Sequence, residues 1–272
     1  MNVLFILYAA LALYLVSTCA YLASLTTGRE RLEKPGYYAL LLGFAVHLFG
    51  LVLRFLAAGY TPITNLHESL SFFALCLAGF FIFLRRVYRI GVLGSIFLPV
   101  VSVVLISAFA APAAIRPLPP VLRSYWLPIH TSFAFIGNAV FFTGFLVSIV
   151  YLLLERGIKK KKMRHISGRF PSLETLDRIN YKCMSFGFPF LTIGIITGSL
   201  WAEMAWGSYW NWDPKETWSL ITWIMYAIVI HNRLTIGWRG RKTAYMMIAG
   251  FVSVVVTFIG VNLFLGGLHS YI

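Results

Sequence analysis

Six of the chain's eight tryptophans fall within 23 residues, Trp201 to Trp223, in the stretch WAEMAWGSYWNWDPKETWSLITW. Indoles are large, planar and mostly apolar, with one N–H each. A group this dense, built around a Gly-Ser turn and an Asp-Pro step, suits a large planar ligand. The other candidate chemistry lies in six histidines: His47, His67, His130, His165, His231 and His269. Neutral imidazole is a common ligand of haem iron, and apolar walls keep water from the ring. Two histidines facing one aromatic pocket can hold a porphyrin axially, one from each side.

The elements that must position these residues are membrane helices. Of 272 residues, 59% are hydrophobic and 12% charged, and the mean hydropathy is +0.79. No soluble domain of this size buries so much apolar surface, so the composition indicates an all-α, polytopic membrane protein. A span needs about 20 mostly apolar residues. Eight windows qualify, roughly 3–26, 36–58, 67–85, 90–110, 129–154, 182–203, 216–235 and 243–266. Backbone groups in lipid must bond within the segment, which leaves helices as the option here. The first window is longer than a signal-peptide core and lacks a basic leader, so it is expected to be a retained helix. The chain is expected to form a single integral membrane domain, 1–272. The Pro-rich stretch 112–128 is expected to be a loop. Pro171 to Glu174 could open a short interfacial helix capped by Ser172.

Charge sets the orientation. Alternate loops hold 19 of the 23 Lys and Arg, including nine between Arg156 and Lys182. The positive-inside rule then puts both termini on the outer side. The net charge of +14 is mostly this topology signal. No basic soluble segment exists to carry nucleic acid, so that class is excluded, and the run Lys159–Lys162 is a solvated inner loop beside anionic lipid. The cysteines, Cys19, Cys76 and Cys183, form no C-x-x-C pair.

This topology places His130, His269 and the loop carrying Trp206, Trp210 and Trp212 in one outer layer. His231 lies 15 residues beyond Glu216, about 22 Å along a helix, in the inner half of the bilayer. An ionisable residue at that depth is a functional candidate; the plainer alternative is a side chain reaching the inner surface beside Arg233. His47 is nearer mid-bilayer, as a helix–helix hydrogen bond or a second buried ligand. His67 could cap the third helix with Asn65 and Glu68, or bind a ligand. His165 sits in the basic loop with no specific role. Asp213, Pro214 and Glu216 spell N-cap, N1 and N3 of a capped helix, which does not exclude a second role. The scarce outer cations Arg54, Arg116, Arg123 and Lys215 are candidate partners for haem propionates.

WGSYWNWDPKETWSLITW resembles the tryptophan-rich "WWD" signature of haem-handling proteins in cytochrome c maturation. Its Asp-Pro-Lys-Glu-Thr-Trp variant is similar to the CcsA/ResC branch of system II biogenesis. His130 and His269 match that family's paired outer histidines, and His231 its membrane histidine. The match covers the whole chain, with the loop at about 201–223 as its signature. His67 departs from it, standing where a tyrosine is expected. The resemblance implies a multi-pass protein of the cell's inner (cytoplasmic) membrane, a subunit of a holocytochrome c synthase of haem lyase type. It would work with a CcsB/ResB-type membrane subunit, bring haem b to the outer face as substrate, and support its thioether attachment to the CxxCH motif of apocytochrome c. His130, His269 and His231 would ligate iron, and Trp206, Trp210, Trp212, Asp213 and Trp218 would line the haem site. Two other classes compete: a haem exporter or chaperone without chemistry of its own, and a redox protein with permanent haem. The exporter would need ligands along a path; the redox protein would favour histidine pairs at bilayer depth.

Overall fold

The computed structural model describes residues 3–88, 90–161 and 169–260. The described residues form eight α-helices and no strand: α1 Val3–Thr27, α2 Glu33–Ala58, α3 Leu66–Tyr88, α4 Gly94–Phe109, α5 Trp126–Lys159, α6 Leu173–Trp206, α7 Pro214–Thr235 and α8 Arg241–Val255, the last continued by a π turn over Val256–Gly260. Seven helical segments, those containing α1 to α6 and α8, are long and apolar enough to cross a membrane. The protein is a polytopic helical membrane protein. α7 is not among the seven, although its 22 residues would reach about 33 Å. His165 and His269 lie outside the described residues, as does the end of the expected last window, 261–266.

The chain divides into two compact units, Met1–Leu122 and Arg123–Ile272. In the first, α1 and α2 meet along matched steps of seven residues. Gly36, Gly43 and Gly50 of α2 face Tyr21, Tyr14 and Leu7 of α1. A Cβ on those glycines would stand 3.1, 3.0 and 2.9 Å from the facing side chains. Lipid tails are as apolar as leucine, so membrane helices associate through close packing and interhelical hydrogen bonds. Both devices are present. Ser17 Oγ donates to the Gly36 carbonyl at 2.6 Å, and Thr18 Oγ1 pairs with Ser102 Oγ of α4 at 3.1 Å. His47 joins three helices, with Nδ1 3.3 Å from the Tyr14 hydroxyl and Nε2 2.9 Å from Ser71 Oγ. Phe81 of α3 stacks on Phe97 of α4 at 5.1 Å.

At one end of this unit Arg54 and Glu68, 2% and 0% exposed, form a buried ion pair. The guanidinium donates to Glu68 Oε1 through Nε and Nη2, both at 2.8 Å. Nη2 also donates to the Ala113 carbonyl at 2.9 Å. Glu68 Oε2 accepts from Thr64 N and Oγ1, each at 3.0 Å.

In the second unit α5 and α6 are 34 residues each, or about 51 Å against a hydrocarbon layer of about 30 Å. Both outrun the windows expected from hydropathy. Ser172 does cap a helix, accepting from Thr175 N at 3.2 Å. That helix is not a short interfacial piece, however, since it continues unbroken through the apolar stretch as α6. Where α6 starts and α7 ends, Asp177 takes both terminal nitrogens of Arg233, at 2.9 and 2.7 Å. Its Oδ1 also accepts from Gly240 N at 2.6 Å. Such fork-to-fork geometry is the strong form of an Arg–carboxylate pair. At the opposite end stand the first turns of α5, the last turns of α6 and the Trp-rich loop.

Candidate functional site

His130 lies in the second turn of α5, half-buried against α6. Its Nδ1 is 2.7 Å from the Gly194 carbonyl oxygen. A carbonyl can only accept, so Nδ1 carries the proton and Nε2 is the basic nitrogen of the neutral ring. This is the usual way a second partner fixes the tautomer and orientation of a ligating imidazole. The ring fits a notch at Gly198, where a Cβ would come within 2.7 Å of Cε1 and Nδ1. Trp201, almost fully buried, lies parallel to it at 6.4 Å between centroids and 11° between planes. Trp206 meets Trp201 edge-on at 5.2 Å and 72°. Gly194, Gly198 and Trp201 thus form one face of α6 that seats a single imidazole.

The loop after α6 turns at Gly207, which has φ 74° and donates its N–H to the Glu203 carbonyl. Trp210 and Trp212 then pair at 5.8 Å and 88°. Asp213, Pro214 and Glu216 form the expected capping box. Asp213 Oδ1 accepts from Lys215 N at 2.8 Å, and Glu216 Oε2 from Asp213 N at 3.2 Å. Asp213 is buried and Trp212 is exposed. Trp218, half-buried on α7, takes Thr222 Oγ1 on its carbonyl at 2.9 Å. Trp223 stands apart from the loop: its Nε1 donates to Thr192 Oγ1 at 2.9 Å and its ring packs on Phe188.

The remaining histidines separate by role. His231 is exposed on α7 and shares an open groove with Trp223, Ile224, Ala227, Ile228 and Asn232. His47 spends both ring nitrogens on Tyr14 and Ser71, which makes it the helix–helix hydrogen bond and removes it as an in-chain ligand. His67 does not cap α3. Asn65 does, its Oδ1 accepting from Glu68 N at 2.9 Å, while His67 Nδ1 donates to the Ala108 carbonyl at 2.8 Å. His67 Nε2 is buried with no hydrogen-bond partner among the described residues. Arg54 is committed to Glu68 and is no propionate partner.

The sequence reading counted Trp201 in the Trp-rich stretch without giving it a role of its own, and it missed Gly194 and Gly198. Their signal was present: steps of four and three residues put them on one helix face, four turns or fewer from the loop they serve. The donor set fits haem as a substrate. One imidazole has its basic nitrogen fixed by a helix carbonyl, and indole surface stands beside it.

Known proteins resemble this chain in sequence and in fold. A family model described as cytochrome c assembly protein matches residues 63–269. Cytochrome c biogenesis protein CcsA of Guillardia theta is 39% identical over 237 residues, 80% of this chain and 79% of that one. The CcsA of Mesostigma viride is 35% identical over 290 residues, 97% and 94% of the two chains. That of Synechocystis sp. is 35% identical and covers 80% and 82%. Among solved structures, the cytochrome c haem lyase CcmF superposes with a TM-score of 0.68 at 16% identity. The superposition takes in 94% of this chain and 46% of that one, which is a likeness of fold. By sequence, the chain belongs to the cytochrome c assembly protein family, within its CcsA branch.

Proposed function

We propose that this chain is the CcsA-type subunit of a system II cytochrome c synthase, built as one integral membrane domain over 1–272. It brings haem b to the outer face of the cytoplasmic membrane and supports its attachment to apocytochrome c. The observation that carries this reading is the seat of His130, with its tautomer set by Gly194 and its ring laid against Trp201. His130 and His269 ligate the outer haem from opposite sides. Trp206, Trp210, Trp212, Asp213 and Trp218 line it. The CxxCH histidine of the incoming apocytochrome displaces one axial ligand. Each thiol S–H then adds across a haem vinyl group: a carbon–sulfur bond forms, the double bond is lost, and the proton ends on the other vinyl carbon. Holding thiol and vinyl together supplies much of the rate. His231 ligates a second, inner haem on its way outward. Its exposed position on α7 suits an opposite ligand from the CcsB/ResB-type partner subunit, since His47 is committed elsewhere.

Co-expression with that partner and an apocytochrome should give covalent haem on the cytochrome, visible in a denaturing gel stained for haem. A purified complex that carries haem and never forms a thioether would make the chain an exporter instead. His231→Ala should lower haem at both sites, because the outer site fills from the inner one, whereas His130→Ala should spare the inner haem. A His231→Ala protein with a full outer complement would defeat the relay.

The orientation belongs to the same reading: α7 spans along with the other seven segments, and both termini face outward. A reporter active only in the cytoplasm, fused after Ile272, should stay silent. Activity there would reverse the topology and move His130 to the inner face.

A further inference from the structure

Trp212 has φ 54°, in the left-handed region where glycine and asparagine sit easily and a bulky side chain is an outlier. Backbone outliers of this kind persist where their surroundings over-determine them, and they cluster at functional sites. The surroundings here are one carboxylate. Glu216 Oε2 accepts from the amides on both sides of Trp212, Asn211 N at 2.8 Å and Asp213 N at 3.2 Å. Thr217 Oγ1 donates to the Trp212 carbonyl at 3.3 Å. Of the Glu216 side chain, a capping box needs only that it accept from Asp213 N. The second bond, to Asn211 N, closes a bridge over Trp212. The indole so held is 69% exposed, with Trp210 edge-on to it. A large apolar ring is kept in an unfavourable conformation and turned out of the protein.

We propose that Glu216 is a positioning residue for the haem site: its carboxylate clamps the backbone around Trp212 and so presents the indole to the face or edge of the porphyrin. The proposal rests on the Trp loop being the haem platform. It separates the reach of Glu216 from its charge. Glu216→Gln keeps an acceptor oxygen at the same distance without the charge. Glu216→Asp keeps the charge and withdraws the oxygen by one methylene.

The test uses the complex with its partner subunit and two readouts: haem bound per complex, and hydrogen exchange at the Asn211 and Asp213 amides with haem removed. Glu216→Asp should speed exchange at both amides about tenfold, the scale of one lost hydrogen bond to a charged group. Its haem content should fall to the level of Trp212→Ala. Glu216→Gln should stay near the parent on both readouts. In a Trp212→Ala background Glu216→Asp should lower haem no further, since residues acting through one contact are not additive. Trp212→Gly should lose haem while both amides remain protected.

If Glu216→Asp keeps its haem while Trp212→Ala loses it, the clamp is overturned and the platform stands. Further loss in the Trp212→Ala background also overturns it, because Glu216 would then act other than through Trp212; so does loss in Glu216→Gln equal to that in Glu216→Asp, because keeping the reach would then protect nothing. Full haem in both Trp212→Ala and Trp206→Ala would sink the platform reading itself, and the clamp's role in haem binding with it.

Discussion

Replacing His130 by glycine should abolish outer haem binding and cytochrome maturation, and millimolar imidazole in the medium should restore much of both. The variant removes the ring and leaves its seat: the Gly198 notch, the Gly194 carbonyl and the flat of Trp201. Free imidazole can enter that space, donate one N–H to Gly194 and offer its other nitrogen to iron. Glycine within the helix costs about 1 kcal/mol of local stability, too little to unfold a helix packed along α6. Loss of a group that merely orients a metal ligand typically costs about 10–100-fold, and loss of the ligand itself should exceed that. The visible spectrum of the purified complex and haem staining of the product cytochrome measure the two effects. A His130→Gly complex with parental spectrum and activity would remove His130 from the site. If imidazole rescues binding in Gly198→Leu/His130→Gly as well as in the single variant, the seat is not where the ring belongs.

Truncating Glu68 should be the most damaging change in the first unit. Glu68→Ala leaves the Arg54 guanidinium buried without its counter-charge and the Thr64 amide without its acceptor. Breaking one side of a buried ion pair costs about 3–5 kcal/mol, a large part of the margin of a typical fold. Glu68→Gln retains an acceptor for Thr64 and should lose less. Replacing both partners, as in Arg54→Met with Glu68→Leu, should recover most of the loss, because no charge is then stranded. Thermal unfolding in detergent, followed by circular dichroism, ranks the variants. If Glu68→Ala melts with the parent, the pair contributes nothing and the doubly substituted chain should show no recovery.

Hydropathy located the helices well and their ends poorly. Apolar length is visible residue by residue, so α1 to α4 fall where the windows do. The ends of α5 and α6 are set by packing against each other and by the Ser172 cap, which is why both run past the apolar windows. The capping box at Asp213 was legible because its four residues are adjacent. What surrounds Trp212 was not, because residue types do not reveal that the amides of Asn211 and Asp213 share one Glu216 oxygen. His47 read as a choice between bond and ligand; only Tyr14 and Ser71, 33 and 24 residues away, decide it. The seven-residue spacing of Gly36, Gly43 and Gly50 was open to view, yet its meaning needs the matching Leu7, Tyr14 and Tyr21 on another helix. The seat of His130 was half legible: the histidine stood out, and the glycines beneath it looked like ordinary membrane-helix glycines.

The unbroken course of α6 from Leu173 to Trp206 has a geometric corollary. Asp177 near its start is gripped by Arg233 and Gly240, and Gly194, Gly198 and Trp201 near its end receive His130. Both attachments sit on a single screw, so their angular phase is set by the count of residues between them. Removing or adding one residue anywhere from 178 to 193 would rotate one attachment against the other by about 100°, with every side chain at either end intact. The spacing itself is therefore a determinant of the imidazole seat, and a change of length there acts like the loss of a residue that was never touched.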